Sequence, residues 1–151
     1  MKIAPFINIK AIFIGFVSDF VASAVFGIAL SFFMAVVLAM KGYKDAELEK
    51  SLITLLDGTT YRILSIIVGL GFTMMGGYLA GRIARSGEYF HSGAVGLLNV
   101  IFGLFFIGMY TTWYSVTAFL LVLPAAVIGG DMARKRRLSE DNKTTLPSDI
   151  E

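Results

Sequence analysis

The chain has 151 residues, 56% of them hydrophobic and only 16% charged, with a formal charge of +2. That length suits one domain, but the composition is too apolar for a water-soluble one, so lipid is the expected solvent for most of it. The absence of cysteine excludes disulfides, thiol nucleophiles and thiolate metal ligands, and a single histidine argues against haem or zinc ligation.

Lys2 and Lys10 precede an apolar run from Ala11 to Met40. It is about twice a normal secretory signal core and contains Asp19, which favours an uncleaved first span. As a helix it would measure about 45 Å, more than the roughly 30 Å of bilayer hydrocarbon, so it must tilt or emerge at one end. Next, Gly42 and Gly58 bracket a segment in which Leu48, Leu52, Leu55 and Leu56 share a helical face opposite Glu47, Glu49, Lys50 and Thr54. A short amphipathic helix in an outer loop is expected there.

The second span is expected over 63–81. No Asp, Glu, Lys or Arg occurs from Tyr89 to Gly130, a stretch about twice the length one crossing needs, which divides into spans of 90–109 and 115–130. These long continuous apolar runs predict an all-α, integral membrane four-helix bundle rather than a barrel. The segment after Leu138, SEDNKTTLPSDIE, is polar and poor in aromatics, and 138–151 is expected to be a disordered tail.

Orientation follows from the basic residues. Lys2, Lys10, Arg82, Arg85, Arg134, Lys135, Arg136, Arg137 and Lys143 fall on one side, against Lys41, Lys44, Lys50 and Arg62 on the other. Both termini are therefore expected to be cytoplasmic, with Tyr110, Trp113 and Tyr114 in an outer aromatic belt. Arg134 to Arg137 are expected to meet lipid headgroups. Basic residues at the ends of apolar runs describe membrane anchoring rather than a nucleic-acid surface.

Small residues recur every four positions: Gly15, Ser23, Gly27, Ser31, Ala35 and Ala39 in span one, with Asp19 on the remaining rung. Ser65, Gly69, Thr73, Gly77 and Gly81 do the same in span two, and Ala125 and Gly129 follow Pro124 in span four. Such ladders let helix backbones approach where hydrophobicity cannot drive association. A period of four drifts about 40° per step, so one ladder must serve more than one neighbour.

Asp19 is the one charged side chain well inside a span. An acid there costs on the order of 2.5–3.5 kcal/mol, which demands a protein partner or water. Arg82 is the expected partner, reaching inward from the cytoplasmic end of span two. Together with Arg85, Glu88, His91 and Asn99 it would form a polar cluster at the cytoplasmic mouth, read as a structural clamp, as a lipid-headgroup or partner contact, or as an ion or proton path entering from that side. No credible nucleophile–base pair is present, and GGYLAGRIARSG lacks the GKS or GKT of a phosphate loop, so no enzyme and no cofactor are expected.

The segments GFVSDFVAS, GGYLAGRIA and HSGAVGLL resemble those of small uncharacterised four-span bacterial inner-membrane proteins. The resemblance implies an inner-membrane location and four helices, and carries over no activity. The expected role is a noncatalytic helix-packing module, acting as a homo-oligomer or as an accessory subunit beside another membrane protein. The alternative is a minimal oligomeric ion- or proton-linked transporter or channel.

Overall fold

The computed structural model describes residues 7–109 and 111–144, which form five α-helices and one short 3₁₀ turn. They are α1 (Ile9–Met40), α2 (Asp45–Leu56), α3 (Thr59–Ala84), α4 (Glu88–Leu104) and α5 (Thr112–Thr144), with the 3₁₀ turn at Ile107–Met109. Three of them, α1, α3 and α5, are long and apolar enough to cross a membrane. Lys2, Tyr110 and the last seven positions of the expected tail lie outside the described residues.

The bundle is assembled from α1, α3, α4 and α5, with α2 as a lateral arm that buries none of its own residues. Paired residues give the directions. Arg62 meets Thr111, Ser65 meets Tyr114, and Gly77 and Gly81 approach Ala126 and Gly130, so α3 and α5 run parallel at a constant offset of 49 residues. Gly15 against Gly76 and Phe26 against Phe72 make α1 antiparallel to α3. Asn8 on His91 and Asp19 on Asn99 make α1 parallel to α4. Thus α1 and α4 run one way and α3 and α5 the other. The segment 88–111 runs the length of α3, from the Arg85 end back to Arg62, although α4 alone is only about 25 Å long.

Glycine doublets bring these helices close. Consecutive helical residues point roughly 100° apart, so a doublet can face two neighbours at once. A Cβ on Gly76 would strike the Gly15 backbone of α1, whereas one on Gly77 would strike the Ala126 backbone of α5. Likewise Gly129 lies against Met74 and Tyr78 of α3, and Gly130 against Ser92 and Glu88 of α4. Ala80, Val95, Ala125 and Ala126 complete a core of small side chains. Gly27 and Gly69 depart from the expected packing role, since nothing stands within 4 Å of a Cβ built on either. The drift of a four-residue period explains Gly27: twelve residues beyond Gly15 it has turned about 120° away from α3.

The fourth expected span ends near Gly130, but α5 continues through the basic cluster to Thr144, so 138–144 is helical rather than disordered. No glycine or proline interrupts 131–144, and i,i+4 pairs Asp131–Lys135 (2.6 Å) and Arg136–Glu140 (3.3 Å) brace this extension. The helix also continues through Pro124.

Candidate functional site

The polar residues expected to form one cluster are divided by the fold into three groups. The first surrounds Asp19, which is only 4% exposed. Asn99 Nδ2 of α4 donates to its Oδ2 at 2.5 Å, and Ser23 Oγ, one turn on, donates to Oδ1 at 3.3 Å. The buried Thr73 of α3 hydrogen-bonds the same carboxylate. Arg82 does not pair with Asp19. It lies at the end of α3, where it donates to Tyr78 Oη at 2.9 Å, because Thr73 rather than Arg82 falls at the height of Asp19.

Above Asp19 a cleft of about 220 Å³ runs along α3 past Thr73, Gly69 and Ser65 to Tyr114. There Ser65 Oγ and Tyr114 Oη lie 3.3 Å apart. A second hollow of about 360 Å³, walled by Phe102, Phe106 and Phe119, adjoins the cleft and shares Phe20, Asn99 and Ala118 with it as lining. Below Asp19 the passage is shut. Gly15 and Gly76 are buried there backbone to backbone, and the side chains of Ala80 and Val95 close in on Gly15. A path entering from the basic end, the expectation from sequence, is therefore corrected: the open space lies on the opposite side of the acid.

His91 forms the second group and lines neither cavity. It is fully buried, with Nε2 accepting the Asn8 N–H at 2.9 Å and Nδ1 2.9 Å from the Gly87 carbonyl oxygen. A carbonyl can only accept, so the ring carries its hydrogen on Nδ1 and is neutral in this arrangement. Asn8 in turn caps α1, its Oδ1 accepting from the Ala11 N–H at 3.1 Å. The histidine thus anchors the start of α1 rather than extending a proton path to Asp19.

The third group occupies the basic end. Glu88, at the start of α4, is buried against Arg137 of α5 at 2.9 Å, and Arg137 also donates to the Arg85 carbonyl. Arg82, Arg85, Arg136 and Glu140 border the same hollow of about 260 Å³. Arg136 donates to Tyr78 Oη at 3.3 Å, and Arg134 lies over the Tyr89 ring with its guanidinium 5.3 Å from the centroid. Tyr89 Oη donates to Asp131 Oδ1 at 2.6 Å. Hydrogen bonds from Lys135 and Tyr89 hold the Asp131 carboxyl below its ordinary range, and the same bond raises Lys135. Of the residues expected to meet headgroups, Lys135 and Arg136 are well exposed, whereas Arg137 is spent largely on Glu88.

Sequence reasoning missed Thr73 and Ser65 as cleft residues, although both stand on the span-two ladder. It also missed Gly76 and Gly130, for which the doublets Gly76–Gly77 and Gly129–Gly130 were the available signal, and Asn8, whose position just before an apolar run is an N-cap signature. Comparisons with protein-family models, with curated proteins and with solved structures find no match.

Proposed function

We propose that this chain is a four-span bacterial inner-membrane protein with both termini cytoplasmic, acting without catalysis through association in the membrane, as a homo-oligomer or as an accessory subunit. Support for four crossings comes from the direction of 88–111, which runs antiparallel to α3 and α5 over their shared length. Support for the orientation comes from Arg82, Arg85 and Arg134 to Arg137 gathering at one end of the bundle.

The observation that carries the associative reading is the coverage of α1. Only 6% of its most apolar window is buried, against 22% for α3 and 28% for α5, and Gly27 presents bare backbone with no neighbour. Small residues gain dispersion in lipid only when another helix approaches them. In a mild detergent the complex should exceed the mass of one chain, and Gly27→Leu should return it to a monomer without unfolding it. A monomer that also retains no membrane-protein companion in every mild detergent would refute this reading.

A second reading, a minimal ion- or proton-linked transporter or channel, is favoured by the cleft that ends blindly at Asp19. Intramembrane acids facing a cavity commonly mark transport paths. It expects Asp19→Asn to change pH-dependent flux in proteoliposomes while the fold persists.

A further inference from the structure

Among the described residues the Asp19 carboxyl has only neutral hydrogen-bond partners. Its donors are the amide of Asn99 and the hydroxyls of Ser23 and Thr73. The ion pairs among the described residues use Arg62, Lys135, Arg136 and Arg137, all with other acids. When ionised, a carboxyl in a low-dielectric setting favours a counter-charge strongly, and the side of Asp19 away from the packed glycines faces open space.

The walls of that space indicate what sort of cation fits. Among the described residues no group of three or more His, Asp or Glu side chains stands together to hold a metal ion, and although hydroxyl and amide oxygens line the cleft at Asp19, the hollow beyond Asn99 is walled by aromatic rings. Phe102 meets Phe20 edge-on at 5.2 Å and lies 5.3 Å from Phe106, so these rings form one bank across α1 and α4. Phe119 of α5 faces them, its ring close to Gly103. Aromatic faces within about 6 Å of a quaternary or protonated amine attract it, and the attraction grows when water is excluded. Phe20 and Phe106 remain partly exposed, which opens the hollow sideways toward lipid.

We propose that the cleft above Asp19 binds a monovalent organic cation of small size, with the ammonium group at the Asp19 carboxylate and the apolar body between Phe20, Phe102 and Phe119. The inference rests on the transport reading only for the access of this cleft to a ligand. Entry is from the lipid or from the Tyr114 end, because Gly15, Gly76 and Val95 close the other.

The test uses the full chain in nanodiscs of zwitterionic lipid and two probes, benzyltrimethylammonium and its uncharged carbon isostere neopentylbenzene. Trp113 is the only tryptophan and stands 6.2 Å from the ring of Tyr114, so its emission reports occupancy, with empty discs as the control for partitioning. Saturable binding of the cation is expected, at least about tenfold tighter than the isostere, with a similar loss in Asp19→Asn. Ala118→Phe, which adds bulk at the wall the two hollows share and leaves Asp19 itself in place, should abolish binding and covers the case in which Asp19→Asn misfolds. Equal affinity for the two probes, undiminished binding in a folded Asp19→Asn, or no binding into the millimolar range would overturn the proposal. Flux is measured separately: binding without flux supports this site while counting against the transport reading, and proton flux without cation binding does the reverse.

Discussion

Asn99 of α4 holds Asp19 of α1 across 80 residues of sequence, with Nδ2 at 2.5 Å from Oδ2. Because α1 touches α5 little, its place in the bundle depends on this bond, on the Gly15–Gly76 contact and on the Asn8–His91 bond at its first turn. Two of these three ties go to α4, so the shortest helix of the bundle adds two polar anchors to an α1 that packs mainly along α3.

Asn99→Leu is expected to lower stability by about 1–3 kcal/mol, since it leaves a buried carboxylate short of a donor. Asp19→Asn retains an amide at the same place and should cost less than about 1 kcal/mol, in line with interhelical hydrogen bonds in membranes. Thermal unfolding followed by circular dichroism in a mild detergent measures both. No loss in Asn99→Leu would show that the bond does not bear on the fold.

The glycine ladder separates into positions that interlock and positions that do not. Gly77→Leu and Gly129→Leu each force a side chain into a facing backbone, where overpacking costs upward of about 1–3 kcal/mol, and folded yield should collapse. Gly27→Leu meets open space and should fold normally. The comparison of monodisperse yields reads this directly; a collapse in Gly27→Leu would contradict the assignment.

His91 is expected to carry its ring hydrogen on Nδ1, with Nε2 bare and accepting from Asn8. Nitrogen chemical shifts of labelled histidine distinguish the tautomers. His91→Phe should weaken the first turn of α1 by about 1 kcal/mol, seen as faster amide exchange from Asn8 to Ile12. An unchanged exchange rate there would remove the anchoring role.

At the basic end, Asp131 faces Lys135, Tyr89 and Arg134, and its carboxyl titrates below the ordinary aspartate range. A lowered folded-state value stabilises at pH above the unfolded value and ceases to do so as pH falls through the folded one. Asp131→Asn should therefore destabilise the α5 extension at neutral pH and make little difference once the carboxyl is protonated. A carboxyl titration at or above the usual range, followed by carbon NMR, would contradict the pairing with Lys135.

Much of the membrane architecture could be read in the chain, because long charge-free runs and small-residue ladders are local properties. The amphipathic helix around Leu48 and Leu52 was visible for the same reason, since its period needs no partner. What the sequence could not reveal was rotation about each helix axis. Gly27 shares a ladder with Gly15 yet faces away, and Arg82 stands on the expected side of Asp19 but at another height. The continuation of α5 was hidden by its polarity: Asp131–Lys135 and Glu88–Arg137 supply support that composition alone does not register.

Everything proposed for Asp19 depends on 88–111 traversing the bilayer, and the absence of native cysteine makes that directly measurable. Single replacements Ser86→Cys, in the turn between α3 and α4, and Thr111→Cys, before α5, are labelled in intact cells with a membrane-impermeant maleimide. Four crossings with cytoplasmic ends predict that Thr111→Cys reacts from outside, whereas Ser86→Cys reacts only after the membrane is opened. Labelling of both positions from the same side would mean that α4 turns back within the membrane, and would contradict the account.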